Sequence, residues 1–224
     1  PMANASGRAL DHAIPGSFYH SASRITYRLF AGDQAFWLSY ARNGSQTRQK
    51  LEYFMGSGHL GVTYLYSING YLLESPVAYY ANLKAYDMKP GLGSSPRLPE
   101  ALPMSAGCRR CHMSSVQRAD PGTNNHYQGL PFLHGGITGY SCHGDTQEHV
   151  RTAGKAAVIN PVKFDAGRRD STCISCHLEG DTSVEHRGRS VANFKPGERI
   201  QDYLSYFVYA GANTADRGVS EIEQ

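Results

Sequence analysis

The stretch CRRCH at residues 108–112 recurs in the same pattern as CISCH at residues 173–177. A third stretch, GYSCH at residues 139–143, keeps the final Cys and His but has Gly139 where the first Cys would stand. A His therefore follows the last Cys of all three units. The 5 Cys of this 224-residue chain are too few for a disulfide scaffold, so their spacing is the informative feature.

The pattern C-x-x-C-H is the attachment sequence of c-type haem. Two thiols bind the porphyrin vinyl groups as thioethers, and the adjacent His supplies a nitrogen ligand to the iron. We therefore predict that each complete motif holds one haem c. The predicted attachment residues are Cys108, Cys111, Cys173 and Cys176, and the predicted proximal ligands are His112 and His177.

A zinc site or a redox dithiol is the alternative interpretation of the two Cys pairs. Zinc ribbons pair their C-x-x-C units about 15–20 residues apart, and a thioredoxin-like motif needs a βαβ pattern around it. Here the pairs begin 65 positions apart, and the surrounding sequence shows no βαβ pattern. Neither alternative explains why a His follows every unit.

The third unit has a single Cys, so it supports two interpretations. One thioether through Cys142, with His143 as proximal ligand, would still hold a haem. The alternative is a lost site that leaves an unused thiol and a surface His. We predict a third haem c on Cys142 and His143, because this unit also explains the odd number of Cys.

Electron-transfer haems usually carry a second strong axial ligand, which is His or Met. The 10 His of the chain leave seven after the three proximal ligands, enough for three bis-His haems. His134 and His149 lie in the same stretch as His143 and are the better supported distal candidates. The remaining distal candidates are His20 and His59.

Strand signals dominate the first part of the chain. Residues 24–30 alternate apolar and polar side chains, Gly32-Asp33 marks a turn, and residues 35–40 give a second predicted strand. Asn69-Gly70 separates two further apolar runs, so both regions predict β-hairpins. We expect a mixed fold of low regular secondary structure, in which a small antiparallel β unit precedes a loop-rich, short-helix, multihaem-binding region. Porphyrin faces would supply the apolar interior of that region. The best helix candidates are residues 108–119 and 173–179.

The predicted division has four parts. Residues 1–88 form the β-rich unit, residues 89–104 a Pro/Gly-rich linker, residues 105–190 the multihaem region, and residues 191–224 a C-terminal segment that packs back. A net charge of +3 spread thinly along the chain favours no nucleic-acid partner. No apolar run approaches the length of a membrane span. The chain opens at Pro1 without a signal peptide, so we expect a removed leader or a fragment.

Residues 131–150 carry a resemblance to a known family. PFLHGGI at 131–137, SCHG at 141–144 and EHV at 148–150 resemble the C-E-x-C-H-G-P-G-x-x-H region of multihaem c-type cytochromes of the hydroxylamine-oxidoreductase-like superfamily. Asn160-Pro161, RRD at 168–170 and FKPGE at 194–198 continue the pattern. The upstream GSG at 56–58 and SPV at 75–77 resemble a subfamily associated with tetratricopeptide-repeat proteins.

The resemblance implies an exported protein that works in the periplasm or outside the cell. It implies that His149 is a distal ligand, commonly to a neighbouring haem, and that Met2 stands near where relatives carry an axial His. Relatives usually have a further C-x-x-C-H just upstream of Pro1. Two departures from the family pattern are Gly139 in place of Cys and Asp145 in place of Pro.

Electron transfer is the predicted function, with redox protein partners. Low charge and many Tyr and Gly also fit a homo-oligomer or a filament. The alternative is a haem enzyme that reduces or oxidises small nitrogen or sulfur oxyanions, which needs one haem with an open position and nearby Arg, His or Tyr. A zinc-stabilised interaction module is the third hypothesis.

Overall fold

The computed structural model describes residues 6–42, 44–97, 101–104, 106–117, 119–123, 125–177 and 182–208. The chain divides into two compact units, Pro1–Ile137 and Thr138–Gln224. It is mostly β-sheet with a few short helices and many loops. This confirms the predicted mixed fold of antiparallel strands, short helices and loops.

The first unit contains eleven of the described strands and one of the helices. They are β1 (Ser6–Arg8), β2 (Gly16–His20), β3 (Ile25–Gly32), β4 (Ala35–Arg42), β5 (Ser45–Leu51), β6 (Tyr53–Met55), β7 (Gly61–Ile68), β8 (Tyr71–Tyr80), β9 (Ala85–Met88), α1 (Ala106–His112), β10 (Met113–Val116) and β11 (Phe132–Gly135).

Two antiparallel sheets form the body of this unit. One has the strand order β2-β3-β4-β5 and the other β1-β6-β7-β8-β9. Side chains of β3 alternate between buried and exposed, as a strand with one face on a core requires. Apolar side chains from both sheets, including Tyr27, Phe36, Tyr64 and Val77, meet in one core cluster. The sheets therefore share a packed apolar interior.

The opposite face of the five-stranded sheet contacts a second apolar cluster. Leu65 and Leu72 of this sheet pack there against Met104, Met113 and Phe132. Successive residues of a strand point to opposite faces, so β8 supplies Leu73 to the first cluster and Leu72 to the second. The five-stranded sheet is thus covered on both faces.

The predicted hairpins are confirmed. Asn69 and Gly70 connect β7 to β8 with φ angles of 49° and 81°, the positive values of a type I′ turn. Residues 76–80 complete β8, and the chain then turns into β9.

The predicted helix bounds are wrong in both cases. The helix expected over residues 108–119 ends at His112, because residues 113–116 form β10 and pair with β11. The helix expected over residues 173–179 begins earlier, at Ala166, and is described up to His177, while residues 178 and 179 lie outside the described residues. Strand pairing overrides local propensity in the first case, and short Ser and Thr side chains obscure the helical period in the second.

Residues 89–104, predicted as a linker, return to the five-stranded sheet where they are described. The Glu74 N–H donates to the Leu102 carbonyl at 2.7 Å, and the Met104 N–H donates to the Leu72 carbonyl at 3.1 Å. The compact unit continues to Ile137, so the first C-x-x-C-H motif lies in the same unit as the β-sheets. Composition marks the turns of this segment but carries no signal for these pairings.

The second unit is built differently. Its described elements are α2 (Tyr140–His143), α3 (Gln147–Arg151), α4 (Ala166–His177), β12 (Thr182–Glu185) and β13 (Leu204–Phe207), with single 3-10 turns at Pro161–Lys163, Val191–Asn193 and Ile200–Asp202. Among its described residues, three apolar side chains are buried: Ile200, Tyr203 and Leu204.

The buried side of α4 is polar. Ser171, Thr172 and Ser175 are buried, and the Ser171 hydroxyl accepts a hydrogen bond from the Ile200 N–H at 3.1 Å. Val150 and Val162 are 74% and 80% exposed. The described residues of the second unit therefore bury little apolar surface of their own. None of the helices in the described residues is long and apolar enough to cross a membrane.

We expect the first unit to lose stability at alkaline pH. Burial raises the pKa of Tyr27 to about 12 in the folded protein, from 10.0. The unfolded chain therefore releases this proton first, and the free energy of unfolding falls as the pH rises from 10 to 12, by up to about 3 kcal/mol. Denaturant titrations at pH 8, 10 and 11.5 should show this loss.

Tyr27→Phe should reduce the loss, because the variant has no phenol to ionise at this position. Tyr19→Phe is the matched control, since the Tyr19 ring is 61% exposed, and it should keep the wild-type pH dependence. An equal loss in wild type and Tyr27→Phe would contradict this account.

Candidate functional site

All three Cys–His units stand at the end of a helix. His112, His143 and His177 are the last residues of α1, α2 and α4. In the two complete motifs the second Cys lies three residues and the His four residues after the first Cys, so all three share one helix face. The five cysteines are thiols, and none is in a disulfide.

The first motif lies against charged side chains of the five-stranded sheet. The half-buried Cys108 thiol donates to Glu74 Oε1 at 3.9 Å, and Lys89 forms an ion pair with Glu74 Oε2. The Arg109 guanidinium is buried and lies 5.4 Å from the centre of the Tyr127 ring. Burial lowers the pKa of both Lys89 and Arg109, and the nearby Cys108 opposes that change.

The Cys–His stretches of α2 and α4 lie close together in the second compact unit of the fold. Helix α2 packs against α4. Burial raises the pKa of the Cys142 thiol, and the nearby Cys173 and Cys176 raise it further. The single thiol of α2 therefore lies near the thiol pair of α4.

One loop orients two imidazoles of this unit. His143 Nδ1 is hydrogen-bonded to the Ile159 carbonyl at 2.7 Å, and His149 Nδ1 to the Ala156 carbonyl at 2.6 Å. A carbonyl accepts only, so Nδ1 carries the proton and the lone pair of each neutral ring is on Nε2. This is the tautomer and the type of partner found for His ligands of metals.

The sequence gives no signal for these two hydrogen bonds, because every residue has a backbone carbonyl. Gly144 ends α2 with a φ of 68°, in the region that favours glycine, and its backbone lies next to the Ile159 side chain. The position of the loop relative to both rings is a property of the folded chain.

The other predicted ligands have different surroundings. Both ring nitrogens of His20 are hydrogen-bonded within the first unit, to Ser23 Oγ at 2.7 Å and to the Gly93 carbonyl at 2.9 Å. His59 is exposed in the loop between β6 and β7, and His177 is exposed at the end of α4. His134 lies on β11, opposite Ser114 of β10. Met2 lies outside the described residues.

A structural zinc ion needs about four donors around one point. In the part of the chain that the structure describes, no group of three or more His, Cys, Asp and Glu side chains is arranged so that it could hold a metal ion.

Comparison with protein-family models finds no match to this chain, and neither does comparison with curated proteins. Among solved structures, the chain is similar to the outer cell wall cytochrome OcwA, with a TM-score of 0.48 and 14% sequence identity. The similarity covers 70% of this chain and 33% of that one, so the chain matches about a third of the length of that protein. Function is therefore inferred from the residues of this chain alone.

Proposed function

We propose that this protein is an exported multihaem c-type cytochrome that transfers single electrons between closely spaced haems. The observation that carries the proposal is that three Cys–His units each end a helix, with the thiols and imidazole of both complete motifs on one face. Haem iron supplies reversible one-electron chemistry when it is bound.

The helical spacing of the thiols supports covalent attachment. Cβ atoms three residues apart on a helix are about 5–6 Å from each other, so both sulfurs reach the same side of one ring. Cys108 and Cys111 would hold one haem, Cys173 and Cys176 a second, and Cys142 a third. The proximal ligands would be His112, His177 and His143.

His143 and His149 have the tautomer that binds iron through Nε2. A hydrogen bond from Nδ1 to a carbonyl fixes the ring orientation and raises the basicity of the other nitrogen. We assign His143 as a proximal ligand and His149 as a distal ligand to a haem of the second unit. A haem held by one imidazole on each side would offer no position for a substrate, and such ligation would favour electron transfer over catalysis.

The second unit also fits a group with large apolar faces. Its described residues bury three apolar side chains, while Tyr140, Val150 and Val162 remain exposed. A unit of this kind gains little from its own hydrophobic burial, and porphyrin faces would supply the missing apolar contacts.

The cellular location and the partners rest on the same proposal. Periplasmic or extracellular work with redox protein partners remains a prediction, as does assembly into a homo-oligomer or a filament. Light scattering of the purified protein in dilute solution tests the assembly, and a monomer at all concentrations would contradict it.

The first test is the number of haems that each chain binds. Wild type should show the optical spectrum of low-spin haem and a mass that corresponds to three covalently held haems. Replacing Cys108 and Cys111 together by Ser should remove one haem, and replacing Cys173 and Cys176 by Ser should remove another. His186→Ala is the control, because His186 lies outside the three units and its ring contacts Ser205.

Three outcomes separate the hypotheses. Colourless protein that contains zinc would overturn the proposal and support an interaction module. A high-spin haem together with activity on nitrite or hydroxylamine would support the enzyme. A mass that corresponds to only two haems would contradict the haem proposed for Cys142 and His143.

Gly139 offers a sharper test of the third haem. Its φ of −53° suits any residue, and a side chain at this position would first meet His143 Cδ2, 4.0 Å from its Cβ. Gly139→Cys should therefore place a second thiol beside the porphyrin proposed to be held by Cys142, and this thiol should form a second thioether. The pyridine haemochrome band should shift from the position of a haem with one unreacted vinyl group to the position of a haem with none.

Gly139→Ser is the matched control, because it adds a side chain of similar size that forms no thioether. The mass of the protein with haem should change in both variants only by the substitution itself. An unchanged haemochrome band in Gly139→Cys would contradict a haem held by Cys142.

A further inference from the structure

We propose that the buried ion pair between Glu74 and Lys89 sets the reduction potential of the haem that Cys108 holds. The inference rests on the proposed function, because it needs a haem at the first motif. It adds two residues outside the motif to the residues that control electron transfer.

One carboxylate contacts both partners. Glu74 lies on β8 and points to the same side as Leu72, towards the second apolar cluster and α1. Its Oε1 atom lies 3.9 Å from Cys108 Sγ, and its Oε2 atom is paired with Lys89 Nζ. The negative end of the pair therefore faces the sulfur that would join the porphyrin.

The pair is shielded from solvent. The side chains of Glu74 and Lys89 are 10% and 21% exposed, and burial lowers the pKa of Lys89. Charges in such a site interact over several ångströms with little screening by water or salt. A surface ion pair such as Asp33–Arg48, whose side chains are 75% and 46% exposed, is screened far more strongly.

The sign of the effect follows from the charge of the iron. Oxidised haem carries one more positive charge than reduced haem, so a nearby carboxylate favours the oxidised form and lowers the potential. A nearby ammonium group has the opposite effect. Because Glu74 contacts the sulfur directly, we expect its effect to exceed that of Lys89.

A purely structural role is the alternative. The Lys89 N–H donates to the Pro76 carbonyl, so the residues that follow β9 are already held against β8 by the backbone. If the pair served only this attachment, its removal would lower stability without a shift of potential whose sign follows the charge removed.

The test is a spectroelectrochemical titration of the whole haem-loaded protein. Glu74→Gln should raise the potential of one haem, and Lys89→Met should lower the potential of the same haem. The wave is assigned as the one missing from the variant that lacks Cys108 and Cys111. Asp33→Asn and Arg48→Gln are the matched controls and should leave all waves unchanged.

The double variant Glu74→Gln/Lys89→Met covers the case in which one unpaired buried charge prevents folding. It leaves no unpaired charge, and it should raise the potential less than Glu74→Gln does. Shifts of equal sign in both single variants, or no shift in the double variant, would overturn the inference. Absence of haem from the first motif of wild type would instead overturn the proposed function.

Discussion

Two thiols and an imidazole at positions i, i+3 and i+4 of a helix lie on one face, and the interpretation of this protein depends on that constraint. Helices α1 and α4 both satisfy it, and both end at the His of the motif. After His112 the chain continues directly into β10, whereas residues 178–181, which follow α4, lie outside the described residues. The His of the motif is half-buried in α1 and exposed in α4.

The two compact units differ in how many apolar side chains their described residues bury. The first unit has two clusters of buried apolar side chains, one on each face of its five-stranded sheet. Polar Ser and Thr side chains cover the buried side of α4 in the second unit. The first unit therefore has an apolar core of its own, whereas the described residues of the second unit bury little apolar surface.

Buried charge is concentrated beside the first motif. Glu74 contacts Cys108 and pairs with Lys89, and Arg109 follows Cys108 in α1. Burial of an ionised group costs free energy unless a partner compensates it. The position of these charges next to the sulfur is the reason to connect them with the potential rather than with stability alone.

Local patterns predicted the parts of the fold that local physics controls. Alternation of side chains marked β3, and Asn69-Gly70 marked the hairpin between β7 and β8, because both signals depend on neighbouring residues. The helix predicted beyond His112 was wrong, because β10 forms by pairing with a strand nineteen positions further along the chain.

The sequence by itself determined which thiols and imidazoles belong together, since the spacing of C-x-x-C-H is a covalent property of the chain. Only the tertiary structure decided which charges surround Cys108 and which carbonyls orient His143 and His149. The physical reason is that the binding chemistry of a thiol or an imidazole follows from its residue type. The effect of a backbone carbonyl or of a distant charge depends instead on where it lies in the folded chain. Position is set by the packing of the whole unit, and no short stretch of residues encodes it.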